Sequence, residues 1–161
     1  MDLYAEIILD HSKRPQHAGL REPFDAEVHH INTSCGDEVT LRVHLDDETE
    51  MGRGVIVRDV SYDALGCSIS VASASVLAEE VIGHPLAEAM ATYAAMRAML
   101  TSRGTDPGDE EAIGDGVAFA GVARYPARVK CALLPWSALT DALARAGADI
   151  SETSSEELTP S

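Results

Sequence analysis

The chain has 161 residues, 45% of them hydrophobic and only 4% aromatic, which suits one core of aliphatic side chains and leaves little for a second domain. A net charge of −15 opposes nucleic acid and anionic membrane surfaces, so the expected partners are proteins. No segment approaches the roughly 18 consecutive apolar residues of a membrane span, and the chain opens on Asp2, Tyr4 and Glu6 without an export signal, so a cytoplasmic, reducing setting is expected.

In chain order, Leu3, Ile7, Ile8 and His11 recur at helical spacing until Pro15 and Gly19, predicting a helix over 2–14. Alternation then takes over. Val28 and His30 share one face of a first strand, and Val39, Leu41, Val43 and Leu45 line one face of a second, with Thr40, Arg42 and His44 opposite. On this pattern His44 is a surface residue, and His29 and His30 point to opposite faces. A third strand runs from Val55 towards Leu65, and its alternation slips between Val57 and Val60, which predicts a bulge.

Past Gly66 the chain turns to Ala, Ser and Val, with Ile69, Ala72, Val76 and Leu77 at helical spacing, so a helix begins at about Cys67. Pro85 opens another, which carries Leu86, Met90, Tyr93 and Leu100 and ends near Arg103. The Gly-, Asp- and Glu-rich stretch from Thr101 to Gly116 reads as a surface loop. Pro126 opens a last helix through Cys131, Trp136, Leu139 and Leu143, and Pro135 predicts a kink or a new start within it. The whole is α+β, one domain over 1–148, with an acidic, disordered tail over 149–161.

Three cysteines cannot all pair, and each lies at a junction between elements. Cys35 stands in a turn, Thr33-Ser34-Cys35-Gly36-Asp37; Cys67 stands at a helix start, where the dipole favours a thiolate; Cys131 follows Arg128 and Lys130. If the strands are ordered so that the turn and the end of the third strand share an edge, Cys35, Asp37, Cys67 and Cys131 make a tetrahedral set of three sulfurs and one oxygen. Taken singly, each has an ordinary reading: a loop cysteine, a packed helix residue, a turn acid, a solvated pair of cations. The six histidines show no metal-binding spacing.

Four segments together carry a resemblance. Leu3-Tyr4 through Ile8-Leu9-Asp10-His11, Thr33-Ser34-Cys35-Gly36-Asp37, Gly66-Cys67-Ser68-Ile69-Ser70 with Ala72-Ser73-Ala74-Ser75, and Pro126-Ala127-Arg128-Val129-Lys130-Cys131 resemble, in order, the SufU branch of the IscU/NifU-N family. The 64 positions from Cys67 to Cys131, with the acidic stretch at Asp106–Glu111, and Lys130 where IscU-like proteins carry a histidine, favour that branch. Ala64, Leu65 and Pro135 depart from the pattern.

The resemblance implies a three-stranded antiparallel sheet packed against several helices and a zinc ion held by Cys35, Asp37, Cys67 and Cys131. It also implies that sulfur passes from the persulfide of a SufS-type cysteine desulfurase to Cys35 for iron-sulfur cluster biogenesis, with Arg128 steadying the sulfur and a SufB-containing scaffold as a downstream recipient. The alternatives are a scaffold that assembles a [2Fe–2S] cluster on the same ligands, and a zinc-stabilised adaptor without transfer activity.

Overall fold

In the computed structural model, which describes residues 3–33, 36–52 and 54–147, three strands form one antiparallel sheet and the helices close over one of its faces. The expected α+β architecture is what the chain adopts. Helix α1 (Leu3–Lys13) precedes β1 (Ala26–Asn32), β2 (Asp37–Glu48) and β3 (Gly54–Leu65), paired in the order β1-β2-β3. Helices α2 (Ser68–Val81) and α3 (Leu86–Leu100) follow, then the single turn α4 (Glu110–Ile113), a 3₁₀ segment (Gly114–Arg124) and α5 (Pro126–Arg145). The acidic stretch from Asp149 lies outside the described residues.

The hairpin register sets the site. Asn32 pairs with Asp37 and Glu38 with Leu65, so the β1–β2 turn and the exit of β3 lie at one edge. The predicted bulge is present: His44 faces Asp59 while Leu45 faces Val57, leaving Arg58 as the extra residue. It lets Val57 and Val60 both enter the core, which strict alternation would forbid.

Helix α2 is buried almost all round, from Ile69 to Val81, and its small residues explain how. Ala and Ser allow α1 and α5 to approach closely, and the buried hydroxyls find partners: Ser73 donates to the Ala132 carbonyl at 2.5 Å and accepts from the Trp136 indole at 3.1 Å. Helix α5 lies across β1 and β2 and continues unbroken through Pro135, so the new start expected there does not occur. Proline removes one backbone donor, and here the surrounding turn is held from outside by Ser73 and by the fully buried Trp136.

Three further expectations are corrected. His44 is buried: the segment after α1 folds back along β3 and over the outer face of the sheet, so His44 donates to the Pro23 carbonyl at 2.6 Å and accepts from Ser61 at 2.8 Å. Helix α3 stops at Leu100, where Thr101 caps the last turn by donating its hydroxyl to the Arg97 carbonyl. The stretch read as a surface loop to Gly116 instead contains α4, capped by Asp109, and turns Ile113 into the core. Val117 and Phe119 of the 3₁₀ segment follow it inward.

The folded-back segment is fastened by Arg21, which grips Asp59 through Nε at 2.7 Å and Nη2 at 3.0 Å. Although burial works to raise the Asp59 carboxyl, Arg21 holds it below the usual carboxylate range. A lowered folded-state value means that the contribution to stability is complete above the unfolded value of about 3.9 and is lost as pH falls through the folded one. Arg21→Met should therefore lower the urea midpoint at about pH 6, with a gap to wild type that narrows towards about pH 3. A gap constant across that range would show that the ion pair contributes nothing.

Candidate metal centre

The sheet edge delivers Asp37 from the first position of β2, and the chain leaving β3 delivers Cys67 as the cap of α2. Helix α5 brings Cys131, whose thiol reaches back to the Ala127 carbonyl at 3.7 Å. One ligand atom from each of these three residues lies within 4.8 Å of the others. Asp37 and Cys131 are buried and Cys67 is exposed, so the group has a closed floor and an open mouth.

Asp37 organises the site before any metal is considered. Its Oδ1 accepts from the Cys67 backbone N–H at 2.8 Å, satisfying one of the unpaired donors at the start of α2, while the Cys67 thiol approaches Oδ2 at 3.3 Å. The carboxylate thus sets the distance between the second strand and the second helix. Gly66 makes the approach possible: with φ +137°, it leaves empty the place where a Cβ would stand 2.0 Å from Asp37 Oδ1 and 2.9 Å from Asp37 Cα. Gly36, in the turn before Asp37, also has a positive φ, +76°, but a Cβ there would touch nothing.

Around the three donors, the Asn32 amide points at Cys131 Sγ from 3.9 Å and Ser70 Oγ lies 3.9 Å from Cys67 Sγ while bonded to the Cys67 carbonyl. These contacts orient the sulfurs as outer-sphere groups orient ligands in metal sites. Two thiols and a carboxylate within this spacing suit zinc, whose bonds of about 2.0–2.3 Å imply donor separations of roughly 3.5 Å in a tetrahedron. Small closing movements would bring them there.

Cys35, the fourth expected member, lies outside the described residues, two positions before Asp37 in the sequence. Arg128 is exposed, on the turn of α5 before Cys131, with its guanidinium 5.9 Å from the centre of the Tyr125 ring. Among the described residues, no helix is long and apolar enough to cross a membrane.

Residues 3–132 match the family model of the NifU-like N-terminal domain. The chain belongs to this family. It is 36% identical over 143 residues to the iron-sulfur cluster assembly scaffold protein IscU of Streptococcus pyogenes serotype M1, covering 89% of this chain and 84% of that one. It is 35% identical over 144 residues to the zinc-dependent sulfurtransferase SufU of Bacillus subtilis, covering 89% and 90%. Among solved structures, a SUF-system cluster assembly scaffold protein from Fervidobacterium islandicum AW-1 superposes with a TM-score of 0.73 at 37% identity, over 86% of this chain and 94% of that one. The N-terminal part of a NifU-like protein from Brucella abortus gives 0.75 at 28% identity, over 90% and 94%. The family is thus one of iron-sulfur cluster assembly, and relatives of near-equal identity carry the scaffold and the sulfurtransferase names.

Proposed function

We propose that this chain is a zinc-dependent sulfur-transfer protein that takes persulfide sulfur from a SufS-type cysteine desulfurase for iron-sulfur cluster biogenesis. The observation that carries the reading is the convergence of Asp37, Cys67 and Cys131 from three separate elements onto one half-open site, with Cys35 two residues from Asp37 in sequence. Zinc bound there would keep thiolates deprotonated at neutral pH without redox chemistry of its own.

The chain's residues divide the work. Asp37 and Cys131, both buried, hold their places, and Cys67 is tied through its backbone to Asp37. Cys35 is the acceptor. Its thiolate attacks the terminal sulfur of the desulfurase persulfide, a new S–S bond forms on Cys35, the old S–S bond breaks, and the desulfurase cysteine leaves as a thiolate. A thiolate shared with a metal attacks poorly, so docking of the desulfurase has to free Cys35 first. Arg128, exposed one turn upstream of Cys131, steadies the transferred sulfur, and a SufB-containing scaffold is a fitting next recipient.

The second reading, a scaffold for a [2Fe–2S] cluster on the same ligands, is favoured by the IscU-named relative. One preparation separates the two. Protein purified without chelator should be colourless with about one zinc per chain, whereas a brown protein with iron and sulfide favours the scaffold. Cys35→Ala should abolish stimulation of the desulfurase; unchanged turnover in that variant rules out sulfur acceptance at Cys35.

A further inference from the structure

Cys67 and Cys131 differ in what can reach them. Cys67 is exposed on the turn between β3 and α2, flanked by exposed Gly66 and Ser68, whereas Cys131 on α5 is only 4% exposed. Their sulfurs nevertheless lie within 4.8 Å of each other. Of these two thiols, a solute entering the mouth of the site meets Cys67 alone.

The contacts around each sulfur suit different parts. The Cys67 thiol donates to Asp37 Oδ2 at 3.3 Å, which engages its hydrogen and leaves the sulfur lone pairs for an incoming electrophile. Cys131 Sγ lies between the Asn32 amide at 3.9 Å and the Ala127 carbonyl at 3.7 Å, long contacts that a small movement of the sulfur gives up at little cost. A disulfide needs its sulfurs about 2.0 Å apart, and a change of rotamer at the exposed Cys67 closes the remaining gap. An accessible cysteine backed by a second thiol is the arrangement of redox sensors, in which the outer sulfur takes oxygen from the oxidant and the inner one resolves it.

We propose that in the metal-free protein Cys67 and Cys131 form a reversible disulfide under hydrogen peroxide, with Cys67 as the sulfur attacked first and Cys131 as the resolving thiol. The Cys67 sulfur attacks the peroxide: an S–O bond forms, the O–O bond breaks, and the thiol proton leaves in the water released. Cys131 then attacks the sulfenic sulfur of Cys67. An S–S bond forms, the S–O bond breaks, and the departing hydroxyl takes the Cys131 proton as a second water. Two thiols together lose two electrons, and one peroxide is reduced to two waters.

The disulfide withdraws two ligands of the metal centre at once, so the oxidised chain takes up no metal until a thiol reductant reopens it. This depends on the placement of the two thiols and not on the sulfur-transfer reading, and it closes the site to zinc and to a cluster alike. Without a resolving thiol, Cys67 would run on to sulfinic acid, which thiols do not reverse.

The test treats the full chain, freed of metal by a chelator, with excess hydrogen peroxide, both as wild type and as Cys35→Ser, which removes the third thiol. Both should lose two hydrogens in mass and yield, on digestion without reductant, a peptide joining Cys67 to Cys131. The wild type should lose zinc uptake and regain it with dithiothreitol. Adding Cys131→Ser to the Cys35→Ser variant should instead give Cys67 two added oxygens that dithiothreitol does not remove. A wild-type link from Cys67 to Cys35, a disulfide between two chains, or sulfinic acid at Cys67 despite Cys131 would overturn the pairing. An oxidised wild type that binds zinc as the reduced one does would overturn the closing of the site.

Discussion

Gly66→Ala is expected to strip zinc from the proposed site and to destabilise even the metal-free fold. Two costs coincide at this residue. Its φ of +137° lies in a region that side chains rarely adopt, worth about 1–3 kcal/mol of strain. The added Cβ would also meet Asp37 at 2.0 Å from Oδ1 and at 2.9 Å from Cα, so rotating the Asp37 side chain cannot relieve the contact. Either β3 or β2 has to shift, and the bond from the Cys67 N–H to Asp37 goes with it. Metal affinity should fall by roughly 100-fold, the upper end of what outer-sphere changes produce. Gly36→Ala is the control: its φ of +76° carries a strain of about 1–2 kcal/mol, but nothing lies within 4 Å of the new Cβ. Zinc content after dialysis and urea unfolding of the apo proteins measure both. Equal zinc retention in the two variants would show that the close approach of Gly66 to Asp37 does not build the site.

That contrast shows what local sequence could and could not reveal. The strands, the bulge at Arg58 and the start of α2 were legible because each is written in the spacing of neighbouring residues. So was the edge that joins Asp37 to Cys67, once antiparallel pairing is assumed. What the sequence hid are approaches between residues far apart in the chain. Gly66 matters through Asp37, twenty-nine positions away, and His11 through Asp115, 104 positions away. His44 alternates as a surface residue should, and only the segment crossing above it makes it a core residue. The stretch from Thr101 to Gly116 is polar enough to read as a loop, yet Ile113 turns inward because Val117 and Phe119 continue the core beyond it. The resemblance supplied the ligand set that spacing left open; the geometry adds which members are buried and which is exposed.

The other large effect is expected at Trp136, a residue that touches no ligand. Trp136 is fully buried, and its indole N–H donates to Ser73, whose hydroxyl donates to the Ala132 carbonyl, one turn earlier on α5. Cys67 caps α2 and Cys131 rides on α5, so this contact between the two helices also sets the spacing of two sulfurs. Trp136→Ala should cost about 3–5 kcal/mol through the cavity it opens. Trp136→Phe keeps most of the volume and loses only the indole donor, at about 1 kcal/mol. Ser73→Ala leaves the indole N–H without its acceptor inside the core and should fall between them, at about 1–3 kcal/mol. If the helix spacing governs the site, the chelator concentration needed to remove zinc should fall in the same order as the urea midpoints of the apo proteins. Variants that lose stability while holding zinc as tightly as wild type would instead mean that the sheet edge and Asp37 position the sulfurs without help from the helix pair.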